Sequence, residues 1–166
     1  MKSNLKPVTK LALAGMFCAV AVVGSMFIVF PVLGSKCAPV QHMVNILCAV
    51  LLGPWYGVAV AFVASLVRNL LCVGSLIAFP GSMCGALLCG LVYWKTKNLP
   101  VTLIAEVVGT GIIGGLAAYP VAKGLMGLTP AGYTVYIVPF LVSTVVGSIL
   151  AGILVAALKK TGALKA

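Results

Sequence analysis

The sequence predicts an all-α integral membrane protein, one domain of six transmembrane helices with both termini on the cytoplasmic side. Three observations predict it. Of 166 residues, 63% are hydrophobic and 7% charged, whereas a soluble domain carries about 25% charged residues. So few charges cannot cover a surface facing water. The uncharged runs 11–34, 37–67, 69–94, 107–122 and 124–158 match or exceed, in all but one case, the roughly 20 apolar residues that carry a helix across the hydrocarbon layer. None of them alternates polar and apolar residues as the strands of a membrane β-barrel do.

Lys2, Lys6 and Lys10 form a basic lead-in. The first span is expected at 11–33. Its apolar stretch 11–30 exceeds the core of a removable signal peptide, about 7–15 residues, so a retained span is expected. It places Gly15 and Ala19, and beside them Ala14 and Cys18, four residues apart. Such small-residue stripes let a second helix approach closely, from the same protein or from a partner. The second span, 39–52, rises only about 21 Å, too short to cross unless its ends are covered. Gly53-Pro54 stops it, and proline suits the first turn of a third span at 54–72. The connection 73–82 is apolar yet rich in Gly, Ser and Pro, a composition tolerated near the membrane where protein or a cavity covers it. The fourth span is expected at 80–94 and the fifth at 100–118, ended by Tyr119-Pro120. The sixth, 131–158, is long and carries Pro139 as an expected kink.

Lysines set the orientation. An even number of spans puts both termini on one side. That side collects Lys2, Lys6, Lys10, Lys95, Lys97, Lys159, Lys160 and Lys165, against Lys36, Arg68 and Lys123 opposite. The excess of cations marks the cytoplasmic face. The net charge of +10 therefore reads as membrane topology, and nucleic acid is excluded as a partner. The lipid bilayer is the expected surroundings.

One stretch departs from the oily background, Pro39-Val40-Gln41-His42-Met43-Val44-Asn45. On a helix Gln41, His42 and Asn45 fall within an arc of about 100°. Polar groups return to the same depth at Arg68-Asn69, from Ser75 to Ser82, and from Tyr119 to Tyr136. This predicts a small-molecule pocket at one end of the bundle. Glu106 is the only acid in the chain, and a carboxylate within a span marks a functional site by default. It shares a stripe with Thr102 and Thr110, every fourth residue. An ion pair with Arg68 is its structural alternative, although the two differ by about 12 Å in expected depth. Arg68 either faces the ligand or snorkels to headgroups. Phe79, Tyr119, Tyr133 and Tyr136 form either a lid over a flat ligand or an ordinary interfacial belt. The candidate binding residues are thus Gln41, His42, Asn45, Arg68, Asn69, Ser75, Phe79, Ser82, Glu106, Thr110, Tyr119, Tyr133 and Tyr136.

Enzyme chemistry is poorly supplied. There is no Walker A, GxSxG or HExxH sequence, and one acid and one histidine furnish no catalytic set. The six cysteines lack metal-site or CxxC spacing, so no metal and no cofactor are expected. Cys37 and Cys72 both reach the outer face, but no disulfide is expected. The chain cannot hydrolyse ATP, so uphill movement of a solute would need energy from another subunit.

The segments Pro39–Asn45, Leu51-Leu52-Gly53-Pro54-Trp55-Tyr56, Arg68-Asn69-Leu70-Leu71, Gly74–Met83 and Glu106-Val107-Val108-Gly109-Thr110-Gly111 resemble the ThiW family, substrate-binding S components of energy-coupling-factor (ECF) vitamin transporters. The resemblance covers nearly the whole chain. It implies a six-helix S component that binds the thiazole precursor of thiamine, 4-methyl-5-(2-hydroxyethyl)thiazole, and works with a transmembrane coupling protein and two ATPase subunits. It also implies that the first helix docks to the coupling protein through an AxxxA-type stripe. Here that stripe reads Gly15-xxx-Ala19 with Ala14-xxx-Cys18 beside it, one alanine replaced in each. Gln41, His42 or Asn45 would donate to the ring nitrogen of such a ligand, and Glu106 or Asn69 would take its hydroxyl.

Overall fold

The computed structural model describes residues 6–162. Lys2 and Lys165, two of the cations counted for orientation, lie outside the described residues. Six helical rods make up the bundle: α1 (Pro7–Phe27), α2 (Pro39–Leu51), α3 (Pro54–Leu70), α4 (Ala78–Thr96), a composite rod, and α7 (Ile137–Lys160). The composite rod joins α5 (Leu99–Glu106), a π-helical stretch (Val107–Gly114) and α6 (Gly115–Gly124) without a break. Each rod carries a proline in its first turn: Pro7, Pro39, Pro54, Pro80, Pro100 and Pro139. The missing N–H costs nothing there, because the first-turn amides have no partner within the helix.

Three of the rods, Pro7–Phe27, Leu99–Gly124 and Ile137–Lys160, are long and apolar enough to cross a membrane. The short α2 does not need to be. It packs against α1, α3, α4 and α7, and ten of its thirteen residues are buried. A helix wrapped on every side can carry polar residues that lipid would reject.

Two apolar clusters define the ends. In one, Leu13 of α1, Leu51 and Leu52 at the end of α2, Tyr56 of α3, Leu99 of α5 and Val155 of α7 converge. Lys10, Lys97, Lys159 and Lys160 flank this terminal end in sequence. In the other, Ile77, Ala118, Ala122, Tyr136 and Phe140 meet, with Lys123 and Arg68 at the neighbouring helix ends.

The structure departs from the sequence reading in three places. Residues 28–33 do not continue the first helix. A hairpin forms instead, β1 (Phe30–Val32) pairing antiparallel with β2 (Ser35–Cys37). Leu33 and Gly34 turn it with φ of 47° and 79°, the two-residue connection that suits strand twist. Hydropathy cannot separate such a hairpin from a helix end. Tyr119-Pro120 does not end the fifth span, for the helix runs through Pro120 to Gly124; buried Ala118 and Ala122 hold its last turns against Ile77 and Tyr136. Pro139 makes no kink, because α7 starts at Ile137 and the proline sits in its first turn.

The π stretch begins immediately after Glu106. It widens the helix and sets glycine against glycine: Gly109 faces Gly85 of α4, and Gly114 faces Gly81. Gly81 and Gly85 are one α turn apart, while Gly109 and Gly114 have the i→i+5 spacing of a π turn. This contact draws α4 onto the rod carrying the acid.

Candidate functional site

Glu106 is 0% exposed and collects donors from α2 and the π stretch. His42 Nδ1 lies 3.1 Å from its Oε1, Asn45 Nδ2 3.0 Å, and Thr110 Oγ1 2.9 Å. The turn spacing of α2 puts His42 and Asn45 on one face, and the i+4 position of Thr110 brings its hydroxyl back over the carboxylate. Asn45 is fully engaged: its amide also donates to the Ser82 carbonyl at 3.1 Å, and its oxygen accepts from Gln41 Nε2 at 3.3 Å. Where Glu106 is a carboxylate, His42 must carry a proton on Nδ1, leaving Nε2 as the ring's other hydrogen-bonding atom.

Gly85 makes room for this arrangement. A Cβ there would lie 2.8 Å from each carboxylate oxygen and would collide with Thr110 Oγ1. The structural alternative, an ion pair between Glu106 and Arg68, does not form, in line with their difference in depth; His42 is the partner of the acid.

Above this network lies a small cavity of about 40 Å³. Its walls include Lys36 and Ala38 from the hairpin side, Gln41 and His42 of α2, Arg68 of α3, Gly81 and Ser82 of α4, Thr110, and Phe140 and Ser143 of α7. Three wall residues each carry a buried polar side-chain atom without a hydrogen-bond partner: Gln41 Oε1, Arg68 Nε and Ser143 Oγ. Buried polar groups are nearly always paired, so unpaired ones in a cavity wall call for a partner from outside the chain. The hairpin is fastened over the site by Cys37, whose thiol donates to the Pro139 carbonyl at 3.2 Å. Burial pushes this thiol above its usual pKa, so it remains protonated and able to donate. Cys37 and Cys72 are both free thiols.

Of the residues singled out in the sequence, Gln41, His42, Arg68, Ser82 and Thr110 reach the cavity wall. Asn45 and Glu106 lie one layer beneath. Asn69 instead donates to the carbonyls of Ser65 (2.8 Å) and Ser75 (3.3 Å), tying the loop after α3 back to its helix. Phe79 packs on Phe62, with ring centroids 5.6 Å apart. Tyr119 and Tyr133 stack on each other at 3.9 Å, and Tyr136 belongs to the cluster with Ile77. None of these six, Ser75 included, lines the cavity. Sequence reasoning missed Lys36 as a wall residue, and Phe140 and Ser143 altogether. The last two stand one helical turn apart on α7, a signal too ordinary to notice inside a long apolar run. Ser65 also joins the site, its hydroxyl 3.0 Å from that of Ser82.

On α1 the two small-residue stripes separate. Ala14 is buried and Cys18 half-buried, while Gly15 and Ala19 are exposed, and nothing lies within 4 Å of a Cβ built on Gly15. A larger hollow of about 480 Å³ between the composite rod and α7 is lined by Leu103, Ile104, Val107, Val145, Ile149 and Ile153. It is a shallow groove of the kind lipid covers; Ser148 is its one polar wall residue, with its hydroxyl buried, so the groove shows a polar solute no donors.

Comparison with known proteins agrees with this architecture. The family model described as thiamine-precursor transporter protein (ThiW) matches residues 11–161. Among solved structures, the fold is similar to the S component of a bacterial ECF transporter, with a TM-score of 0.78 and 24% sequence identity over 94% of this chain and 98% of that one. No curated protein matches.

Proposed function

The chain belongs to the ThiW family of thiamine-precursor transporter proteins, a membrane transport component and not an enzyme, and from that premise we propose that it is the substrate-binding S subunit of an ECF-type importer. It would sit in a prokaryotic cytoplasmic membrane with six crossings and both termini inside. The cations flanking the terminal end, Lys10, Lys97, Lys159 and Lys160 among them, support that orientation. The hairpin end, with the cavity beneath it, then faces outward.

The observation that carries the reading is the trio of unpaired polar atoms on Gln41, Arg68 and Ser143 around one small cavity. The proposed ligand is a thiazole precursor of thiamine, with 4-methyl-5-(2-hydroxyethyl)thiazole the leading case. Its hydroxyl donates to Gln41 Oε1 or His42 Nε2, and Phe140 offers the ring an apolar face. Asn45 and Glu106 are positioning residues that hold Gln41 and His42 in place. Asn69, Ser75 and Phe79 brace the loop between α3 and α4, and Tyr119, Tyr133 and Tyr136 frame the outer rim. A cavity of about 40 Å³ holds on the order of one water molecule, so a ring ligand is admitted only as the hairpin and Phe140 yield.

Delivery would require a transmembrane coupling protein and two ATPases, since the chain has no nucleotide-binding motif. The exposed face of Gly15 and Ala19 on α1 is the proposed docking stripe. Mass spectrometry of small molecules released on denaturing freshly purified protein tests the reading, together with saturable binding of the hydroxyethylthiazole. Recovery of an unrelated solute, with no thiazole binding, would end it.

One observation favours a second reading. The buried His42–Glu106 pair is the kind of group through which a proton-coupled carrier operates. Uptake by this chain alone in proteoliposomes, abolished by collapsing the proton gradient, would select that alternative.

A further inference from the structure

We propose that the mouth of the cavity is an anion subsite, so that the thiazole bound there carries a negatively charged group, a phosphate monoester or a carboxylate, in preference to the neutral alcohol. The choice of a thiazole rests on the function proposed above. The subsite itself rests on charge.

Arg68 is 4% exposed, and its Nε is buried without a partner. Among the described residues its side chain makes no hydrogen bond and no ion pair. A guanidinium removed from water without a counter-charge is costly. The only acid of the chain, Glu106, does not reach it: Oε1 takes His42, Asn45 and Thr110, Oε2 is buried without a partner, and the salt bridge of Glu106 is to His42, not Arg68. A second cation, Lys36, lines the same cavity from β2, and it too has no ion pair among the described residues. A buried guanidinium and an exposed lysine therefore border one hollow of about 40 Å³.

The helices reinforce the sign. α2 and α4 both begin at this cavity, and neither has a side-chain cap. The amides of Gln41, Ala78 and Phe79 are taken by nearby carbonyls, so these helices contribute the positive field of their first turns rather than free N–H groups. Ser143 adds an unpaired hydroxyl to the wall. A planar guanidinium with a neighbouring hydroxyl and ammonium matches the oxygens of a phosphate or carboxylate.

The test uses the full chain in discs of zwitterionic phosphatidylcholine, titrated by calorimetry with hydroxyethylthiazole, with its phosphate monoester and with inorganic phosphate. The monoester should bind about tenfold to a hundredfold more tightly than the alcohol, the span expected for hydrogen bonds to a charged group. Arg68→Gln should bring the monoester down to the alcohol's affinity. Lys36→Gln, at an exposed position of β2, should narrow the gap in the same direction. Equal or tighter binding of the alcohol overturns the anion subsite and leaves the proposed function standing. If neither thiazole binds, the proposed function fails and inorganic phosphate decides the subsite: binding lost in Arg68→Gln sustains it, and no binding ends it. A parallel titration in phosphatidylglycerol discs separates the sources of the anion. Loss of the monoester's advantage there alone would assign Arg68 to a lipid headgroup and overturn the soluble ligand.

Discussion

His42 Nδ1 stands 3.1 Å from Glu106 Oε1, the one salt-bridging pair among the described residues. Sixty-four positions separate the two in the chain, and the contact joins the central helix α2 to the composite rod. Glu106→Gln keeps the size but replaces an acceptor shared by three donors with a weaker one. We expect it to lower thiazole affinity at least about tenfold and to cost about 1.5–3 kcal/mol of stability, the range for a hydrogen bond to a charged group. Glu106→Ala, which strands all three donors, should cost more, about 3–5 kcal/mol. Calorimetric titration and thermal unfolding in detergent measure both effects. Unchanged affinity in Glu106→Gln and in His42→Ala would remove this pair from the binding site.

Gly85 supports the same carboxylate from the opposite side. A methyl group added there would stand 2.8 Å from both carboxylate oxygens and would overlap the Thr110 hydroxyl. Gly85→Ala should therefore destabilise the fold by about 1–3 kcal/mol, the usual cost of overpacking, and should weaken ligand binding by displacing His42. Gly57 of α3 is the matched control. Its added methyl would meet only Cys48 Cβ at 3.6 Å and the Ala86 carbonyl oxygen at 3.8 Å, an ordinary contact distance. Gly57→Ala should be neutral or stabilising by up to about 1 kcal/mol, since alanine favours helix. Equal melting temperatures for the two variants would refute the packing argument.

Much of this arrangement was legible before any coordinates. Composition and uncharged runs specify a helical membrane protein, and a polar arc on a short span marks α2 as the helix that cannot face lipid. The spacing of Gln41, His42 and Asn45 predicts one face, and Glu106 stands out because no other acid competes with it. What periodicity could not deliver was depth across helices. Counting residues from the span ends separated Arg68 from Glu106 but did not bring His42 to the acid, because that meeting depends on how α2 and the composite rod cross. The π stretch was equally invisible, since its i→i+5 bonds leave no mark on a uniformly apolar pattern. The aromatic residues stayed open between two readings for a related reason. A place near helix ends suits Tyr119 and Tyr133 either to a lid or to an interfacial belt, and sequence spacing does not show that the two rings stack on each other.

The exposed face of α1 should separate binding from transport. Gly15 has no neighbour within 4 Å of a built Cβ, and Ala19 one turn on is exposed. Gly15→Leu adds volume where this chain has nothing to displace. It should leave the melting temperature and thiazole affinity of the isolated subunit unchanged. If the stripe docks to a coupling protein, the same substitution should abolish co-purification with that partner and ligand uptake in cells, because small-residue stripes act by allowing backbones to approach. Ala14→Leu, on the buried side of the same helix, should instead reduce stability. Wild-type uptake in Gly15→Leu would move the docking surface elsewhere.

The last prediction distinguishes the aromatic that lines the cavity from those that surround it. Phe140 is in the cavity wall, and its ring rests on Gly81, where an added Cβ would lie 2.7 Å from Cε2. Tyr133 is 65% exposed and its ring is occupied by Tyr119 at 3.9 Å. If the thiazole packs on Phe140, then Phe140→Ala removes a stacking contact of about 0.5–1.5 kcal/mol, which lowers affinity about twofold to tenfold. It also enlarges the cavity, so thiazoles with a bulkier ring substituent should gain relative to the methyl compound. Phe140→Leu, which restores apolar volume without the flat face, should recover stability but not affinity. Tyr133→Ala should change affinity by less than about twofold, since exposed side chains away from a site have small effects. Calorimetric titration of the three variants with both thiazoles gives the ranking. A larger loss in Tyr133→Ala than in Phe140→Ala would mean that the stacked tyrosines fold over the ligand and that Phe140 is only part of the bundle's packing.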